Sequence, residues 1–183
     1  MKHTILKTIL AFSAAFFALS ASAIDHPKAT LPTVSADRFA LVQDCTPVTI
    51  IVNKSEDTAI LRAANDLVKD FGRVTGNMPA LVESATADRA IIIGSLESPF
   101  IKDMVSRGKF DVSSLQGCRE KYLIQTVKAP VEGIGEALVI AGSDRRGVVY
   151  GIYEISEQIG VSPWYDWVDV PVARQQNLSI ARG

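Results

Sequence analysis

Apolar residues recur along this chain with two periods, and the switches between them mark its elements. Residues 48–52, VTIIV, are apolar or β-branched throughout and are bounded by Pro47 and Asn53-Lys54-Ser55, which predicts a strand buried on both faces. Ile60, Ala64, Leu67, Phe71 and Val74 then return at steps of four and three, the stripe of an amphipathic helix. Ser55 or Asp57 can cap its start, and Gly76 with Pro79 stops it. Residues 80–82 read as a short strand, 84–88 as a polar turn, and 90–93 as a second buried strand closed by Gly94-Ser95. A shorter helix follows over 99–107 through Phe100, Ile101, Met104 and Val105, ending at Gly108, and 109–120 read as loop.

Residues 122–127 and 137–141 read as paired strands, and Gly133 and Gly135 suit the connection between them. The period changes again at Gly142-Ser143-Asp144, which carries turn and N-cap chemistry. Val148, Ile152, Ile155 and Ile159 line one face of the next helix, and Gly160 can end it in the left-handed conformation. The order β-α-β-β-α-β-β-α predicts an α/β domain, a mixed β-sheet with helices packed on it, with α+β as the alternative. Residues 24–47 hold three prolines and read as an irregular lead-in with a short strand at 39–42. The tail, 172–183, is polar and shows no closing element, which is expected of a fragment.

Composition changes this picture at the N-terminus. Lys2, His3 and Lys7 precede an apolar run over 9–19 and Ala21-Ser22-Ala23, the pattern of a signal peptide over residues 1–23, so the mature chain is expected to start at Ile24 in the periplasm or outside the cell. The run is shorter than the ~20 residues a bilayer core requires, and no membrane association is expected after cleavage. Without Lys2 and Lys7, the 19 Lys and Arg fall to 17 against 20 Asp and Glu, a net charge of −3 that argues against nucleic acid as partner. Cys45 and Cys118 are the only thiols, and an oxidising compartment would permit one disulfide between them; the alternative is two small apolar side chains. Two Cys and His26 do not make a metal site, and no cofactor is expected.

Three constellations could carry chemistry. Gly142 to Gly147 has the six-residue glycine spacing of a phosphate loop, but Val148 and Val149 stand where such a loop needs Lys and Ser or Thr. Capping by Ser143 or Asp144, with Gly147 and Gly151 drawing the helix onto the sheet, is the stronger reading. Trp164, Tyr165 and Trp167 cluster after Ser162-Pro163, where they can stack on sugar rings or be covered at a domain interface. Asp166 and Asp169 flank them, but a loop does not fix the carboxylate separation that glycoside hydrolysis requires. Asp66 and Asp70 alternate with Arg62, Lys69 and Arg73, as a solvated face with i, i+4 pairs does.

Two stretches, LRAANDLVKDFGRVTGNMP and GSDRRGVVYGIYEISEQIGVSPWYDW with the VDVP that follows, resemble the N-terminal region of family 115 glycoside hydrolases, xylan α-glucuronidases. The resemblance covers residues 48–171. It implies the N-terminal domain that precedes a (β/α)8 barrel in α-glucuronidases and β-hexosaminidases, with domain limits at 48–170 and a linker from 171 to 183. It also implies that the barrel of the parent protein carries the hydrolysis of glucuronic acid or 4-O-methylglucuronic acid branches of xylan, so no catalytic residue is carried over to this chain. The expected role is accessory, with Trp164, Tyr165 and Trp167 packed between domains; a stand-alone carbohydrate-binding module using those three residues is the alternative.

Overall fold

The computed structural model describes residues 29–168 and 170–182; the leader, His26 and Asp169 lie outside them. Thirteen elements follow in order: β1 (Thr30–Leu31), β2 (Arg38–Gln43), β3 (Thr46–Pro47), β4 (Thr49–Val52), α1 (Thr58–Thr75), β5 (Leu81–Val82), β6 (Ala87–Ser95), α2 (Pro99–Ser106), β7 (Tyr122–Lys128), β8 (Ile134–Gly142), α3 (Arg145–Gln158), α4 (Tyr165–Val168) and β9 (Leu178–Ala181).

A five-stranded sheet, ordered β5-β4-β6-β8-β7, forms the centre. Its strands run parallel except β7, which returns antiparallel beside β8 with Tyr122 opposite Gly142 and Lys128 opposite Glu136. Both faces are covered, which is why its middle strands read as unbroken apolar runs. Ile50, Val52, Ile91, Ile93, Leu138 and Ile140 point toward α1 and α3. Their neighbours Ile51, Ala90, Ile92, Ala137, Val139 and Ala141 face the other side, against Ile101 and Met104 of α2. There the loop at 109–120 supplies what a second helix would, because Phe110, Val112 and Leu115 are buried on the sheet.

Helix limits match the capping chemistry. Asp57 accepts the amide N–H of Ala59, and Gly76 closes α1 at φ +89°. Asp144 accepts the N–H of Gly147, and Gly160, at φ +106°, follows α3. Proline at the first position of α2 uses the turn where its missing N–H costs nothing.

The strand expected at 39–42 is present as β2; the rest of the lead-in and the tail depart from expectation, since both are ordered and they pair with each other. A second sheet, β1-β9-β2-β3, places Phe39 opposite Ile180 and Ala40 opposite Ser179, and a bulge at Leu41 restores pairing at Val42 and Leu178. Phe39, Leu41, Val42, Leu178 and Ile180 join the core on the α1–α3 side. The strands also satisfy helix ends. Thr30 Oγ1 donates to Gln158 O at 2.5 Å and, just before β9, Gln175 N–H donates to Val74 O at 2.9 Å. Last-turn carbonyls of both long helices thus gain partners that the helices cannot provide. Residues 178–181 are a packed closing strand, where the sequence showed no closing element. A partner 140 residues distant in sequence leaves no local signal.

The β2–β3 turn is strained. Asp44 and Cys45 sit at φ +49° and +60° between the paired Gln43 and Thr46, a geometry that favours glycine at the second position. Replacing Cys45 by Gly keeps the backbone bonds to Gln176 and Asn77, so Cys45→Gly is expected to stabilise the fold by about 0.5–1 kcal/mol in urea denaturation. A midpoint unchanged or lowered would show that the side chain contributes more than the turn strain costs.

Candidate docking ridge and adjoining cleft

Past Gly160 the chain turns over the outer surface of the α1–α3 pair. Val161 is buried, the Ser162 hydroxyl accepts the Trp164 N–H at 3.2 Å, and residues 165–168 form the single turn of α4. The three aromatic residues of this segment separate into two roles. Trp164 and Trp167 are 65% and 81% exposed, with Val168 beside them also exposed, and together they make an apolar ridge. Tyr165 instead packs on the core, and the Arg73 guanidinium lies 4.3 Å from its ring centroid. That face of Tyr165 is therefore closed to a stacking ligand.

Arg73 ties α4 to α1. It donates to Asp70 Oδ1 at 2.6 Å and reaches Asp166 Oδ1 at 3.5 Å. Asp166 is thereby an ion-pair partner, and nothing in the described structure sets it up as a general acid or base. Burial works against the Arg73 charge, but hydrogen bonding and attraction to Asp70, then Asp166, outweigh it and raise its pKa. Asp70 is only 4% exposed, so the solvated face expected over 66–73 is in part an inner wall. A signal was present in the sequence: Asp70 follows Leu67 by three and precedes Val74 by four, which puts it on the apolar stripe.

Between α1, α3 and the 161–166 segment lies a cleft of about 570 Å³. Arg62, Asp66, Lys69, Asp70 and Arg73 line one side, Tyr153 and Ser156 the other, and Pro163, Tyr165 and Asp166 the end. Asp66 receives Lys69 Nζ at 2.9 Å and the Tyr153 hydroxyl at 3.1 Å. Burial would raise the Asp66 carboxyl, yet those two hydrogen bonds together hold it below the ordinary carboxylate value. Tyr153 moves the opposite way, first through burial and then through its bond to ionised Asp66.

The glycine-spaced turn is a packing device. A Cβ on Gly142 would stand 2.2 Å from Val148 N, one on Gly147 2.3 Å from Lys121 O, and one on Gly151 2.8 Å from Ile140 Cγ2. Its arginines turn to protein carboxylates: Arg146 reaches Glu120 at 2.8 Å and Arg145 reaches Asp57 at 3.6 Å. Asp144 accepts from Gly147 and then Glu120, and these bonds lower its pKa. The Gly147 N–H that a phosphate would need is already taken by Asp144.

Both cysteines are free, so the disulfide is not formed. Cys45 N–H donates to Gln176 O, beside the C-terminal end of α1, while Cys118 lies in the loop that leads to Lys121 and the opposite, N-terminal end of α3. The 18-residue α1 alone spans about 27 Å between those two levels.

Known proteins give this geometry a context. The family model for the glycosyl hydrolase family 67 N-terminus matches residues 36–155. A solved family GH115 4-O-methyl-α-glucuronidase with specificity for decorated arabinogalactans superposes with a TM-score of 0.63 at 27% identity, over 76% of this chain and 17% of that one. This chain thus spans less than a fifth of that enzyme's length. The structure of CpGH84D aligns at 12% identity and a TM-score of 0.48, over 90% of this chain and 24% of that one, too loosely to carry an argument. No curated protein matches the chain.

Proposed function

The chain belongs to the glycosyl hydrolase family 67 N-terminus family, and on that premise we propose that it is the non-catalytic domain of an exported α-glucuronidase of the family 115 type, built to pack on a (β/α)8 catalytic barrel. The observation that carries this reading is the ridge of Trp164, Trp167 and Val168. Exposed apolar area of that kind, anchored from behind by the Arg73–Tyr165 contact and edged by charge, is suited to being covered by another module. The chemistry of the parent would be removal of glucuronic acid or its 4-O-methyl ether from polysaccharide branches, xylan being the expected backbone. Hydrolysis of that kind uses two carboxyl groups about 5–9.5 Å apart across the scissile bond. The carboxylates of the cleft serve other ends: Asp66, Asp70 and Asp166 are bound to Lys69 and Arg73.

Assay of the 183-residue chain on glucuronoxylan is expected to release no glucuronic acid, while a longer product that carries the proposed barrel releases it. Release by the 183-residue chain alone would overturn the accessory role. Activity of the longer product on arabinogalactan branches and not on glucuronoxylan would keep the glucuronidase reading and move its substrate.

A further inference from the structure

We propose that the cleft between α1 and α3 is a saccharide-binding site, in which an uncharged polyhydroxylated ring sits against Arg62, Asp66 and Asp70 with Tyr153 at the rim. Its volume of about 570 Å³ is sufficient for one or two sugar rings. The lining carries three cations, Arg62, Lys69 and Arg73, and three anions, Asp66, Asp70 and Asp166, so it presents no net charge to attract an ion. What it does present is uncommitted hydrogen-bonding capacity of both kinds. Arg62 makes no hydrogen bond or ion pair among the described residues and has five N–H groups to give. Arg73 engages Oδ1 of Asp70, which leaves Oδ2 as an acceptor.

The wall is polar as well: Asp70, only 4% exposed, and Ser156 both line the cleft. A sugar hydroxyl is the group that answers this arrangement, because it can accept from a guanidinium and donate to a carboxylate at the same atom. The bonds from Lys69 and Tyr153 keep Asp66 ionised, and therefore an acceptor. Tyr153, 45% exposed, offers an apolar surface for a ring, whereas the face of Tyr165 is taken by Arg73. Neither Trp164 nor Trp167 lines the cleft, although their chain neighbours Pro163, Tyr165 and Asp166 do. The choice of a xylan-type probe rests on the glucuronidase reading; the recognition chemistry does not.

The test is titration of the isotope-labelled 183-residue chain with xylotetraose and, separately, maltotetraose, followed by amide and indole NMR shifts. Saturable shifts at millimolar sugar are expected on residues 62–73 and 153–165. Arg62→Ala should weaken binding by about tenfold or more, the loss of a charge-assisted hydrogen bond, and leave the melting temperature unchanged because Arg62 is exposed. No saturable shift with either sugar would overturn the site, as would shifts confined to the two indoles and indifferent to Arg62→Ala. Binding of maltotetraose without xylotetraose would uphold the cleft and count against xylan as the polysaccharide of the parent enzyme.

Discussion

Gly147→Ala and Gly142→Ala are each expected to destabilise the domain by about 3 kcal/mol or more, lowering its melting temperature by roughly 6–12 °C. The cost comes from backbone, which cannot rotate away as a side chain can. A Cβ at residue 147 meets the carbonyl oxygen of Lys121 at 2.3 Å, and one at residue 142 meets the amide nitrogen of Val148 at 2.2 Å. Relief would require α3 to lift off β7 and β8, and α3 carries Val148, Ile152 and Ile155 into the main core. Gly151→Ala should cost less, since its nearest neighbour at 2.8 Å is the movable Ile140 Cγ2. Gly160→Ala, in open space at φ +106°, should cost only the left-handed strain, about 1–2 kcal/mol. Calorimetry of the four variants gives the order. Equal losses at 147 and 160 would mean that conformational strain, and not close approach, explains the glycines; unchanged stability at 147 would reopen the turn as a ligand loop.

Such contacts explain which features could be read from sequence. The buried strands at 49–52 and 90–93 and the helix from Thr58 to Thr75 declare themselves through local period and caps, because each element's own residues decide its face and its ends. Gly147 and Gly151 could be read as packing positions for the same reason: they interrupt a helical stripe one turn apart. Long-range pairing has no such signature. Thr30, Arg38 and Ile180 become strand residues only because residues 30–43 and 178–181 meet over the C-terminal carbonyls of α1 and α3. Phe110, Val112 and Leu115 sit in irregular backbone, where no period reports burial. The cleft was hidden differently. Asp66, Asp70, Lys69 and Arg73 have the spacing of solvated i, i+3 and i, i+4 pairs, and only the return of the chain through Pro163 and Tyr165 encloses them. The tryptophans show the opposite balance: their type and place after a turn suggested a covered surface, and the fold leaves them uncovered within this chain.

That exposure yields the sharpest separation between folding and assembly. Replacing Trp164 and Trp167 together by Ala should change the stability of the 183-residue chain by no more than about 0.5 kcal/mol, since side chains 65% and 81% exposed have little packing to lose. If the proposed barrel covers the ridge, the same pair should act as an interface anchor in the longer protein, where each truncation of a buried tryptophan costs about 2 kcal/mol or more. The longer protein is then expected to melt in two separated steps, with the first at the temperature of the isolated domain, instead of one cooperative transition. Arg73→Ala provides the complementary case. It removes the ion pair from Asp70 and the cation from the Tyr165 ring, so it should destabilise even the isolated chain by leaving a buried carboxylate unpaired. Were the double tryptophan variant to unfold the short chain as Arg73→Ala does, the ridge would be part of this domain's own core. Were the longer protein to melt as before, the proposed barrel would have to meet this domain through some other surface.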